Sequence, residues 1–92
     1  MTERLEAIVS GRVQMVMFRD FTQRKATGLH VTGEVKNVSD GTVAVTAEGP
    51  RASLETLLTK LQRGSLLSHV ENIDVKWAPA TGSFKKFSIT YE

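Results

Sequence analysis

The chain has 92 residues, room for one domain and not two. Its composition is 40% apolar and 24% charged, with 12 Lys and Arg against 10 Asp and Glu, which excludes collagen-like, low-complexity and disordered readings. The absence of cysteine removes disulfides, thiolate zinc sites, Fe–S clusters and thiol nucleophiles together, and a net charge of +2 does not by itself imply nucleic acid or membrane. Apolar runs such as Met15 to Phe18 are far shorter than a membrane span, and no signal-peptide stretch follows Met1. A cytoplasmic home is therefore expected.

Leu5, Ala7 and Val9 alternate with Glu6, Ile8 and Ser10, which predicts a strand that stops at Gly11. After a stretch without alternation, Phe18, Phe21, Ala26 and Leu29 form one apolar stripe of a helix, with Asp20 in its first turn. Gly28 and His30 mark its exit. Val31 to Asn37 reads as a second strand, with Val31, Gly33 and Val35 on one face. Ser39-Asp40-Gly41 signals a tight turn, and Thr42 to Ala47 alternates as the third strand. Gly49-Pro50 breaks the pattern, with Pro50 expected at the first helical position. Leu54, Leu57, Leu58 and Leu61 then make the clearest helix, ended by Gly64. Val70 to Trp77 predicts a fourth strand, and Phe87, Ile89 and Tyr91 a short last one, with Trp77 and Tyr91 expected in the core or on a sheet face.

The order β-α-β-β-α-β predicts a ferredoxin-like α+β sandwich: two helices on one face of a mainly antiparallel sheet, with a short extra terminal strand, as one domain over residues 1–92. That plan hosts RNA-binding, metal-carrying, regulatory and enzymatic domains alike. RNA recognition on this topology stacks bases on aromatics of the two central strands, and neither Leu5 to Ser10 nor Thr42 to Ala47 has one. Metal carriage would need paired thiols. His30 and His69 have no obvious ligand companions.

Charge concentrates between Gly11 and His30, where Arg12, Arg19, Arg24 and Lys25 face Asp20 alone. Gly11 to Arg19 follows a strand and opens a helix, a place where successive N–H groups converge on one anion. A cation in a first helical turn opposes the helix dipole. Two readings of Arg19 stand: it projects into solvent, or it shares a bound anion with the loop amides.

The same stretch resembles the signature of the acylphosphatase family, G-x-V-Q-G-V-x-F-R, matched by Gly11, Val13, Gln14, Val16, Phe18 and Arg19. Ala26, Leu29, Val31, Gly33, Val35 and Asn37, then Asp40, Gly41 and Val43, resemble its second signature, and the likeness spans roughly Leu5 to Tyr91. The resemblance implies hydrolysis of carboxyl-phosphate anhydrides to a carboxylate and inorganic phosphate, without metal or cofactor. Its partners would be a small-molecule acyl phosphate and inorganic phosphate, with no nucleic acid and no membrane, and the enzyme is expected to act as a monomer. Arg19 matches the family's phosphate-binding arginine and Asn37 its water-holding asparagine. The amides of Gln14, Met15, Val16, Met17, Phe18 and Arg19 would form the phosphate-binding loop. The alternative is a non-catalytic anion-binding or regulatory domain of the same fold.

Three positions depart from the family pattern. Met15 replaces a usual Gly, where a positive φ would strain a side chain. His30 replaces another Gly, and Glu34 a usual aromatic. Met17 stands at a variable position, where no consequence is expected.

Overall fold

The computed structural model describes residues 2–92. Strands β1 (Thr2–Arg12), β2 (Thr32–Asn37), β3 (Val43–Pro50), β4 (His69–Pro79) and β5 (Phe87–Ile89) alternate with helices α1 (Phe18–Gly28) and α2 (Arg51–Arg63). They form one sheet in the order β4-β1-β3-β2-β5, antiparallel throughout except for the β2–β5 pair. This is the expected ferredoxin-like sandwich.

Alternation decides the faces. Leu5, Ala7 and Val9 of β1, Val43, Val45 and Ala47 of β3, and Val35 of β2 are fully buried, together with Phe18 and Ala26 of α1 and Leu54, Leu57 and Leu61 of α2. Both helices therefore cover one face. Trp77 of β4 is half-buried, with the Arg51 guanidinium 3.6 Å from its ring centroid. Among the described residues, no helix is long and apolar enough to cross a membrane.

Several boundaries differ from the sequence expectation, each for a local reason. Gly11 does not stop β1. The pairing with β4 shifts between Ser10 and Gly11, leaving Glu71 as an extra residue, and β1 continues to Arg12. A side chain at position 11 would press on the His69 carbonyl and the Glu71 nitrogen. Val31 precedes β2 and instead caps α1. Its N–H donates to the Ala26 carbonyl, and His30 N–H to that of Thr27, with His30 left-handed at φ 59°. That pattern is a Schellman cap, with His at the position Gly usually holds. Thr42 lies outside β3, its N–H and hydroxyl both donating to Asp40 Oδ1. Pro50 is not the first residue of α2. It is extended at ψ 142°, still opposite Thr2 in the β1–β3 ladder, and the helix opens at Arg51. Tyr91 is neither core nor sheet face, because β5 ends at Ile89 and Tyr91 is 80% exposed.

The topology sets up one particular edge. Because β3 runs antiparallel to both β1 and β2, those two strands point the same way, and β5 is parallel to β2. The C-terminal ends of β1, β2 and β5 therefore meet at one end of the sheet, where the β1–α1 loop lies.

Candidate active site

Residues 13–17 connect β1 to α1. Met15 and Met17 have φ of 61° and 63°, while Val16 between them is not left-handed. Such alternation turns successive amides toward a common concavity. Among the described residues, no N–H from Gln14 to Asp20 donates to a backbone carbonyl or a side chain, the first intrahelical bond being Phe21 N–H to the Met17 carbonyl. The loop thus presents a row of free donors where the α1 dipole adds positive potential. Met15 answers the expectation of strain at a glycine position. Met17 was expected to be indifferent and is left-handed too.

The loop is strapped in place by Gln14. Its Nε2 donates at 2.8 Å to the Val38 carbonyl and at 2.8 Å to that of Thr42. Two carbonyl acceptors can be met only by the amide nitrogen. Gln14 therefore ties the loop to the residue following Asn37. The opposite end of this tie is fixed by Asp40, whose carboxyl is held below its ordinary value by the Thr42 hydroxyl and then the Thr42 N–H. Asp40 shapes the turn, as expected from Ser39-Asp40-Gly41.

Arg19 lies in the first turn of α1 and makes no ion pair or hydrogen bond among the described residues. Its guanidinium stands 5.5 Å from the centroid of the Tyr91 ring. Tyr91 is carried there by the chain after β5, where Thr90 N–H donates to the Val35 carbonyl and Glu92 Oε1 accepts from Ser39 N–H at 2.7 Å. A cleft of about 450 Å3 opens between loop and tail, lined by Met15, Met17, Phe18, Arg19, Ile89 and Tyr91 among others. Asp20 also lines it, with its carboxylate 2.9 Å from the Arg24 Nε. That pairing reduces the negative charge presented to an anion.

Asn37 ends β2, opposite Val43, in the same register row as Val9. It shares the helix-facing parity of Gly33 and Val35, whereas Glu34 points to the other face. Asn37 is half-buried, and its Oδ1 is buried without a hydrogen-bond partner among the described residues. An unmet buried acceptor is costly in a folded protein and calls for a donor. The structure thus brings Met15, Met17, Phe18 and Arg19 into the cleft wall. Gln14 and Val16 contribute backbone and strap but do not line it, and Asn37 sits at the same sheet end outside that lining. Sequence reasoning missed Tyr91 as a cleft residue. Its parity with Phe87 and Ile89 pointed to a strand, and the hint was an aromatic two residues past the end of β5.

The family model for acylphosphatase matches residues 5–89. The chain is 45% identical over 87 residues to an acylphosphatase from Salinibacter ruber, covering 95% of this chain and 92% of that one. It is 46% identical over 79 residues to one from Thermus thermophilus, covering 86% and 90%. The crystal structure of an acylphosphatase from Bacillus subtilis superposes with a TM-score of 0.93 at 38% identity, covering 97% of this chain and 99% of that one. Over nearly its whole length, in sequence and in fold, the chain belongs to the acylphosphatase family.

Proposed function

We propose that this acylphosphatase hydrolyses carboxyl-phosphate bonds with the phosphoryl group held by Arg19 and the amides of Gln14 to Arg19, and the attacking water held by Asn37. The observation that carries the reading is an unpaired guanidinium beside a row of unpaired amides, at the sheet end where Asn37 keeps an unmet acceptor.

The chemistry fits these residue types. Water attacks phosphorus, the bond from phosphorus to the bridging acyl oxygen breaks, and the electron pair leaves with the carboxylate. The proton lost by water passes to a phosphate oxygen, giving inorganic phosphate. Because a carboxylate leaves readily, positioning and charge stabilisation suffice and no strong general base is needed. Arg19 offers a rigid fork of donors to phosphoryl oxygens. Asn37 orients water through Oδ1 without adding negative charge beside the phosphoryl group. All these groups come from one chain, so the proposed site is complete without a second copy. The absence of aromatics on β1 and β3 argues against a nucleic-acid platform, and a small acyl phosphate in the cytoplasm is the matching substrate setting.

The test is hydrolysis of acetyl phosphate with chelator present, in wild type, Arg19→Ala, Arg19→Lys and Asn37→Ala. Arg19→Ala should lose both inhibition by inorganic phosphate and at least about 10²–10³ in kcat/KM, with little rescue by Lys. Asn37→Ala should lose kcat while inorganic phosphate still inhibits competitively. Near-normal turnover in Arg19→Ala, or loss of phosphate affinity in step with rate in Asn37→Ala, would refute the respective role.

A further inference from the structure

Met17 stands in the wall of the phosphoryl cleft. That residue also lines a second groove of about 330 Å3, formed with Val16, Phe21, Leu66 and Leu67 between the start of α1 and the turn after α2. Large apolar side chains are left in water here: Leu66 is 98% exposed, Leu67 64% and Met17 69%. Met17 further occupies a left-handed position that favours glycine. Arg24 and Lys25 also line the groove, Arg24 paired with Asp20 at 2.9 Å and the Lys25 ammonium 5.7 Å from the Phe21 ring. Among the described residues, no carboxylate lines this groove. The two volumes together lie within the range of small-molecule sites.

Building on the acyl phosphate reading above, we propose that the acyl group runs from the phosphoryl cleft across Met17 into this groove, so that the enzyme's substrate class is acyl phosphates with a linear, uncharged hydrocarbon chain. A chain leaving the carbonyl would cover Met17, Leu66 and Leu67 in turn. That covering removes from water the apolar surface that α1 and the turn after α2 leave open. Thioether and leucine side chains adapt to a flexible alkyl chain better than a polar wall would.

The experiment measures kcat/KM for acetyl, butanoyl, hexanoyl and octanoyl phosphates, and for adipoyl monophosphate, in wild type and in a Leu66→Ser/Leu67→Ser double variant. Both leucines are exposed, so the variant should keep the wild-type melting temperature. Each methylene covered should raise kcat/KM about two- to fourfold, so octanoyl phosphate, six methylenes longer, should exceed acetyl phosphate by about 60- to 4,000-fold. The double variant should lose about tenfold on octanoyl phosphate and nothing on acetyl phosphate. Hexanoyl phosphate should be preferred over adipoyl, whose distal carboxylate would lose hydration among Met17, Leu66 and Leu67 while Arg24 and Lys25 are already engaged by Asp20 and the Phe21 ring. Hydrolysis of acetyl phosphate with a flat series, a uniform loss in the variant, or a preference for adipoyl would overturn the groove while leaving the catalytic reading intact. Absence of hydrolysis along the whole series would remove both.

Discussion

Replacing Met15 with glycine separates what the loop backbone does from what the side chain does. At φ 61° a non-glycine residue stands in the left-handed region, which costs an L-residue about 1–2 kcal/mol. The side chain is 96% exposed, so removing it forfeits almost no packing. Against that gain, glycine loses more chain entropy on folding, about 0.5–1 kcal/mol. The balance is a net stabilisation of about 0.5–1 kcal/mol, or about 2–8 °C in Tm for a domain of this size. Met15→Ala keeps Cβ and should gain nothing.

Activity should not follow stability. The Met15 N–H stays where the loop holds it, because the anchor is Gln14 and not the Met15 side chain. Hydrolysis of acetyl phosphate by Met15→Gly should therefore stay within about threefold of wild type, the scale left by small local adjustments. Thermal unfolding of both variants, beside the acetyl phosphate assay, tests the reasoning. A fall in Tm for Met15→Gly, or an equal rise for Met15→Ala, would show that the strain does not reside at this residue. A large rise in activity from a nearly inert parent would show that Met15 distorts the amide row, and would favour the non-catalytic anion-binding alternative.

Other outcomes follow from different parts of the frame. Gly33→Ala would drive its Cβ into the Thr46 carbonyl at φ 145°, and should cost about 2–5 kcal/mol in denaturant unfolding. Gln14→Ala should cost about 1–3 kcal/mol and depress turnover, and Gln14→Glu more, because it would turn carboxylate oxygens toward the Val38 and Thr42 carbonyls. Glu48 is buried, and burial, the largest influence on its pKa, works to raise it. Together the N–H groups of Thr81 and Gly82, the Thr81 hydroxyl and the Arg4 guanidinium outweigh that influence and hold the pKa below its ordinary 4.5. The stability this contributes is present above pH 4.5 and lost as pH falls through the folded-state value. The gap in denaturant midpoint between wild type and Glu48→Gln should therefore close below pH 4.5, and a gap that widens there would contradict the assignment.

The frame was legible where side-chain period is imposed by burial on one face. Leu5, Ala7 and Val9, or Leu54, Leu57 and Leu61, have no other way to leave water. Boundaries were less legible, because they depend on partners distant in sequence. Pro50 is extended because Thr2 lies across the ladder, and Gly11 is a bend because Glu71 is surplus opposite it. Glu48 lies just past the expected third strand, and it is buried because its partners lie 33 and 34 residues away in the 80–83 loop. The site divides in the same way. Arg19 stood out against dipole logic, and the family resemblance pointed to Asn37. Nothing in the local pattern could give the Gln14 strap, the left-handed Met17 or the return of Tyr91.

The strap and the left-handed Met17 bear on one physical problem. A phosphoryl cradle made of amides must be held open before substrate arrives, since donors that first have to reorient add to the barrier. Left-handed residues at Met15 and Met17 set the amide directions at a cost in strain, and strain relaxes wherever the chain is free to move. Here it is opposed on both sides. Gln14 clamps the start of the loop to the β2–β3 turn at two carbonyls, and α1 fixes its end through the fully buried Phe18. The same clamp joins the loop to the residue after Asn37, so the proposed phosphoryl donors and the proposed water acceptor are set by a single turn rather than by two independent elements. A disturbance of that turn should therefore reach both roles at once, whereas a change at Arg19 or Asn37 reaches only one.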